Sequence, residues 1–314
     1  MAVLITAGTT TAFAEQKGKG SGRGAYDIAL IGDLPYNAQQ EEQTVRLFAE
    51  LDREKLAFIA HDGDIKSGSS ACTDDVYQKE LRRFEASRNP LVYTPGDNEW
   101  TDCHRPPNPT PEEADPLNRL EYLRGVFYAE DESLGRKEID LQRQSEEYPE
   151  NARWERGDVT FATLHVVGSN NNRPTAANPA IGNEKEYQAR NAANLEWLAE
   201  TFDEAKKSKS PAVMLVMQAN IFEEDVNQPS GFADFKTALE EEVRDFGKPV
   251  VLVHGDSHTF RIDKPVISSS RLLNFTRVET FGSPDVHWVR ATVDPRDEEV
   301  FSFEPEIIEE NVAP

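Results

Sequence analysis

Long apolar runs are missing from this chain: no stretch of its 314 residues approaches the ~20 consecutive apolar residues that a membrane-spanning helix needs. No stable membrane association is therefore expected. Positive charge is also scarce, with 34 Lys and Arg against 57 Asp and Glu and a net charge of −23. Neutralising a nucleic-acid backbone takes a basic face, and none extends over any distance here, so nucleic acid is not expected as a partner. A small phosphate ester stays within reach if bound cations reverse the local field. A glycine-rich phosphate loop after the first apolar run is absent too, since Gly32-Asp33-Leu34-Pro35-Tyr36 does not have that pattern.

Cysteine is limited to Cys72 and Cys103, with no C-x-x-C spacing of the kind a zinc site uses. Both sit in polar, turn-like surroundings, Ala-Cys-Thr-Asp and Thr-Asp-Cys-His. In an exported protein they would form a disulfide between neighbouring loops; in a reducing compartment they would be two free thiols. Residues 1–14 are small and apolar and end in Ala12-Phe13-Ala14, which reads as the end of a signal peptide although Lys and Arg are lacking before it. Secretion or a periplasmic location is the matching expectation. Residues 15–25 then read as a flexible Gly/Lys/Ser linker.

What is present is enough for a core: 38% of residues are hydrophobic and 9% aromatic, too many for a disordered chain. One catalytic-size domain over residues 26–304 is expected, acting as a monomer, with an acidic tail at 305–314. Short β-branched runs at 26–31, 56–60, 91–94, 159–167, 212–217 and 250–253 read as buried strands. Helical spacing over 38–53, 75–87, 184–206 and 232–246 alternates with them, so the class is α/β with a largely parallel inner sheet. After Phe260, strand pairs at 272–281, 286–293 and 300–303 suggest a second sheet of antiparallel strands. Residues 106–151 are charged and weakly periodic, with one helix over 116–127, and read as an insertion.

Chemistry concentrates at strand ends. Gly32-Asp33, Gly63-Asp64, Gly96-Asp97 and Gly255-Asp256 each deliver a carboxylate after a strand, where α/β sheets bind ligands. One Gly-Asp pair is an ordinary turn; four at strand ends are a pattern. Crowded carboxylates repel unless cations lie between them, so convergence predicts metal.

The motifs Gly32-Asp33, His-Asp-Gly-Asp at 61–64, Pro-Gly-Asp-Asn-Glu-Trp at 95–100 and His-Gly-Asp-Ser-His at 254–258 resemble those of the calcineurin-like metallophosphoesterases. The resemblance implies a four-layer αββα sandwich with a two-metal site that hydrolyses phosphate esters. It implies Asp33 and His258 as ligands of the first metal and Asp64 as the bridge. Asp97, Gln218 and Asp256 stand where the family has asparagine, histidine and histidine. Asn98 takes the place of the histidine that protonates the leaving group, and Pro35 that of another histidine.

Oxygen ligands at Asp64, Asp97, Gln218 and Asp256 suit Mg, Mn and Ca, whereas a histidine such as His258 suits Zn and Fe; Mn or Mg is the favoured expectation, with Ca, Zn or Fe as alternatives. Lys66 follows the bridge by two residues, and its ammonium is a candidate to stand in for one cation or to contact substrate. His61, His104 and His254 are the candidate proton donors in place of Asn98, which is itself a candidate substrate contact. Arg173, after the Asn-rich run 170–172, is a candidate for holding a phosphate or sugar. Trp100 is expected in the core, and His165 and His287 are expected to be structural. The function expected is metal-dependent hydrolysis of a small phosphorylated substrate; the alternative is a catalytically impaired relative that binds a phosphorylated or sugar ligand.

Overall fold

The computed structural model describes residues 24–223 and 228–312, so the signal-like segment 1–14 and most of the linker lie outside the described residues. Twelve strands among these residues form two mixed sheets. The first has five strands in the order β12-β11-β1-β2-β3, where β1 is Tyr26–Ile31, β2 Leu56–His61, β3 Leu91–Tyr93, β11 Trp288–Val293 and β12 Phe301–Glu306. The second has seven in the order β4-β5-β6-β7-β8-β10-β9. Here β4 is Gln142–Arg143, β5 Ala152–Arg156, β6 Val159–Thr163 and β7 Val213–Val216, followed by β8 Val250–His254, β9 Arg261–Asp263 and β10 Phe275–Glu279.

The alternation of side chains along each strand builds the layers. In β1, Ile28 and Leu30 face inward and meet Phe161, Met214 and Val253 of the second sheet, so the central core lies between the sheets. Ala29 and Ile31 face outward, under Leu47 and Phe48 of helix α1 (Ala38–Leu51), Tyr77 and Phe84 of α2 (Asp74–Ala86) and Leu123 and Phe127 of α3 (Pro116–Phe127). The outer face of the second sheet is covered by Trp197 and Phe202 of α4 (Glu184–Ser208) and by Phe235 and Val243 of α5 (Ala233–Phe246). Helix, sheet, sheet and helix are thus stacked, the four-layer α/β arrangement that the family resemblance implies. Side chains fix the helix starts: Asn37, Asp115 and Asn183 each accept a hydrogen bond from a first-turn amide.

One expectation changes, and two segments gain detail. The strands after Phe260 do not make a sheet of their own: β10 extends the second sheet parallel to β8, and β11 crosses to pair antiparallel with β1. Periodicity marks a strand but not the sheet it joins. The insertion is part of the core, since α3 packs on the first sheet and residues 142–143 add an edge to the second. The acidic tail is anchored as well: β12 runs to Glu306, and the Asn311 side chain is held by the carbonyls of Gln43 and Val286 and by Arg46.

Phe161 is buried between the sheets, with ring centroids 5.1 Å from Phe58 and 5.6 Å from Trp154. Phe161→Ala is expected to cost about 3–5 kcal/mol in urea unfolding; a loss under about 1 kcal/mol would mean that the sheets close over the void.

Candidate metal centre

Parallel strands β1, β2 and β3 of one sheet and β7 and β8 of the other end at the same edge, and their last residues carry the polar side chains. The turns interlock: Asp33 N donates to Gly63 O at 3.0 Å, and Gly255 N to Gln218 O at 3.1 Å. Asp33, Asp64, Asp256 and His258 all have positive φ, 52°, 57°, 75° and 57°, an unfavourable backbone for L-residues that collects at this one edge. Two glycines are required by contact. A Cβ at Gly96 would lie 2.0 Å from Asp64 Oδ1, and one at Gly255 would lie 1.9 Å from Asp33 Oδ2.

Asp33, Asp64 and His258 form a group whose ligand atoms lie within 4.8 Å of one another. His258 Nδ1 is 2.9 Å from the Ser283 carbonyl, which only accepts, so Nδ1 carries a hydrogen and neutral His258 turns the lone pair of Nε2 inward. The Tyr36 hydroxyl stands in the middle, 3.2 Å from Asp33 Oδ1, 3.0 Å from Asp64 Oδ2 and 3.2 Å from His258 Nε2. Three acceptors face a hydroxyl with one hydrogen. Donor atoms bound to one ion at about 2.1 Å stand about 3 Å apart; here Asp33 Oδ1 and His258 Nε2 stand 3.3 Å apart, and all three ligand atoms lie within 4.8 Å of one another. The residues present therefore fit a divalent metal.

Asn98 closes the group: Nδ2 donates to Asp64 Oδ2 at 2.8 Å and to Tyr36 Oη at 2.9 Å, and its amide N donates to Asp64 Oδ1 at 3.1 Å. Burial, then repulsion from Asp97 and Glu99, pushes the Asp64 carboxyl well above the usual carboxylate range. Burial likewise raises Tyr36, with Asp64 adding to it. His258 loses basicity to burial but is raised overall because Asp33, 3.3 Å from Nε2, favours the protonated ring.

The other half differs from the expected oxygen-only site. Gly168 N donates to Gln218 Oε1 at 2.6 Å, which turns Gln218 Nε2 toward Asp64 Oδ2 and Asp97 Oδ1, each 3.2 Å away. Gln218 thus presents hydrogens, not a ligand oxygen, to the two carboxylates. Asp97 also accepts from Ser169 Oγ at 2.7 Å, and the same hydroxyl lies 2.7 Å from Asp102 Oδ1. One hydroxyl hydrogen serves one carboxylate at a time, and burial, reinforced by Asp97, raises Asp102 to about 7. Asp256 accepts from Asn220 N at 3.0 Å, and its own N points at Asp33.

Several candidates fall elsewhere. Lys66 is buried, and its Nζ donates to the carbonyls of Ser67 and Asn98 at 2.8 and 2.7 Å, so it braces a loop instead of contacting a substrate. His61 packs among Phe84 and Tyr93 and accepts from Gly63 N. His254 bonds the Gly255 carbonyl beside Phe222. Burial drives both histidines down to about 3, which removes them as proton donors at neutral pH. His104 and Arg173 lie together on a side cavity that shares Ser169. Trp100 is in the core as expected, and His165 pairs in the interior with Glu150. Cys72 and Cys103 form a buried disulfide, Cα atoms 5.8 Å apart. Sequence reasoning missed Tyr36, which belongs to no spacing signal, and the contact of Ser169, in the run before Arg173, with Asp97.

No protein-family model matches the chain, and no curated protein does. Among solved structures it is similar to the 5'-nucleotidase from Candida albicans SC5314, with TM-score 0.44 and 12% identity over 91% of this chain. The match takes in 52% of that protein, so the chain spans about half its length. It is also similar to Vps29 complexed with zinc from Entamoeba histolytica, with TM-score 0.31, 10% identity, and 89% and 97% of the two chains covered.

Elemental analysis after equilibration with Mn is expected to find near-stoichiometric metal, lost in Asp64→Asn and bound about 10–100-fold more weakly in Tyr36→Phe. Wild-type affinity in Tyr36→Phe would remove the hydroxyl from the centre. The buried histidines set a pH dependence. Below about pH 6.5 the unfolded chain protonates His61 and His254 while the folded chain, with both at about 3, does not, so their contribution to stability falls as pH falls through that window. His61→Gln is expected to lower the slope of unfolding free energy against pH by one proton, about 1.4 kcal/mol per pH unit between about pH 4 and 6. An unchanged slope would mean that native His61 is charged.

Proposed function

We propose that this chain hydrolyses a small phosphorylated substrate at the Asp33–Asp64–His258 group, acting as a monomer in an oxidising, secreted or periplasmic compartment. The observation that carries the reading is the convergence of those three ligand groups on one point at the carboxyl edge of parallel strands. A divalent metal there, with Mn or Mg favoured, supplies the Lewis acidity that draws in phosphoryl oxygens and makes water a nucleophile at neutral pH.

The chain's own residues do the rest. Ser283 O orients His258, and Asn98 Nδ2, which gives its two hydrogens to Asp64 and Tyr36, reaches a substrate oxygen by exchanging the Tyr36 bond for it. Asp64 is held between two donors from Asn98, which fixes its carboxylate plane. Asn98 cannot release a proton to a departing alkoxide, His61 and His254 are walled off, and His104 lies on the side cavity with Nδ1 on the Thr101 carbonyl. Esters whose leaving group needs no proton are therefore the preferred substrates. The buried disulfide supports the oxidising compartment.

A second reading, a binding protein that keeps the fold without turnover, draws on Gln218. Its amide fills the space between Asp64 and Asp97 with hydrogens. Turnover separates the two. With Mn or Mg, hydrolysis of 4-nitrophenyl phosphate or bis(4-nitrophenyl) phosphate is expected, falling at least 100-fold in Asp64→Asn and much slower for alkyl esters. No turnover with Mn, Mg, Ca, Zn or Fe would pass the site to the binding reading.

A further inference from the structure

Beside the metal centre lies a cavity of about 260 Å³ whose wall includes Ser169, the residue that bonds Asp97. Its lining is basic in an acidic molecule, with each guanidinium backed by one carboxylate, Arg105 by Asp102 and Arg173 by Glu184. In a chain of net charge −23, the described residues lining it include Arg105, Arg173 and His104 and no carboxylate, with Asn170 and Asn172 supplying amides. Arg105 pairs with Asp102 behind the wall. Arg173 Nη1 donates to Ser230 O at 2.8 Å, its guanidinium lies over the Tyr187 ring, and its Nε, 3.5 Å from Glu184, makes no hydrogen bond.

The backbone of this wall is costly. Ser169, Asn170, Asn171 and Asn172 have φ of 48°, 55°, 54° and 61°, a full left-handed turn without glycine. Each such residue costs about 1–2 kcal/mol, and Asn and Ser tolerate it only as single residues as a rule. The turn is held in place by Arg190, which bonds both Oδ1 and O of Asn171, and by Gly231 N on Asn170 Oδ1. The result of that expense is that Ser169 faces Asp97 while Arg173 stands on the cavity three residues after Asn170. Strain kept at this level beside a candidate centre marks a positioned ligand wall.

We propose that this cavity is a subsite for a second anionic group on the substrate, so that the chain recognises a doubly charged phosphate ester: one phosphoryl group at the Asp33–Asp64–His258 group, the other anion at Arg173. The proposal rests on the phosphoester reading above and adds the substrate class. The volume, about 260 Å³, is below the about 300–1,000 Å³ of pockets that enclose a drug-sized ligand and suits a phosphate or carboxylate and a short linker.

Calorimetry tests it without turnover. The probes are alkyl monophosphates and the matching α,ω-alkanediol bisphosphates with two to six carbons, titrated into the Mn-equilibrated full chain and its Arg173→Gln and Arg173→Lys variants. One bisphosphate is expected to bind at least 10-fold tighter than its monophosphate; the advantage falls to about twofold in Arg173→Gln and is partly restored in Arg173→Lys. Equal affinities across the series, an equal loss for both ligand types in Arg173→Gln, or no binding of any probe overturns the subsite. The hydrolysis assay decides the phosphoester reading separately: bisphosphate preference without turnover keeps the subsite and sinks the enzyme, and turnover without preference does the reverse. Unfolding midpoints of the variants within 2 °C or so of wild type show that the fold is intact.

Discussion

The repulsion among Asp33, Asp64, Asp97 and Asp256 is the constraint to which the rest of this edge of the molecule answers. At about 4 Å and an effective dielectric constant of about 20, two such charges repel by about 4 kcal/mol, and here four strand ends deliver them together. Each carboxylate is offset locally: Asp33 by the Asp256 amide, Asp64 by Asn98, Asp97 by Ser169 and Gln218, Asp256 by the Asn220 amide. The backbone amides among these donors, of Asn98, Asn220 and Asp256, point inward because the turns are sharp. That sharpness is what the glycines and the left-handed Asp33, Asp64 and Asp256 provide.

The buried cation nearest this cluster serves the backbone. Lys66 Nζ and both sulfurs of the Cys72–Cys103 bridge surround the Asn98 carbonyl, at 2.7, 3.7 and 3.9 Å. Glu99 continues the same clamp, accepting from Tyr93 Oη at 2.8 Å and from the amides of Ile65 and Gly96. The loop that carries Asp97 and Asn98 is thereby rigid from behind. The ammonium is held by carbonyls, and its charge still acts on Glu99, Asp64, Asp102 and Asp97 from behind the loop; hydrogen-bond donors, protons and whatever cation binds offset the rest.

Much of this was legible in the sequence, for a physical reason. A Gly-Asp pair after a β-branched run reports both the end of a strand and the carboxylate it presents, so Asp33, Asp64, Asp97 and Asp256 were recognisable, and so was the layered α/β class. His61 and His254 were not, because strand side chains alternate between faces: each is the last residue of its strand and points away from the edge, into Phe84 and Tyr93 or beside Phe222. Tyr36 was hidden by its reach. It lies in the turn after Asp33, and only the folded path of residues 33–36 brings its hydroxyl across to Asp64 and His258. The sheet membership of β10 and β11 was equally beyond a local pattern, since both read as half-buried strands whichever sheet they join.

The two halves of the site follow different chemistry, and Gly168 decides between them. Its amide can only donate, so it fixes the Gln218 carbonyl and commits the other end of that side chain to donating. A histidine at 218 would offer a lone pair to an ion between Asp64 and Asp97, whereas the amide offers hydrogens and no charge. On the opposite side, Ser283 O does the converse for His258, taking the hydrogen of Nδ1 and freeing the lone pair of Nε2. Two backbone groups, one donor and one acceptor, thus polarise the site. Lone pairs gather around Tyr36, and hydrogens gather around Asp97. A cation is favoured at the first cluster and opposed at the second, whose carboxylates are already satisfied by Gln218 and Ser169.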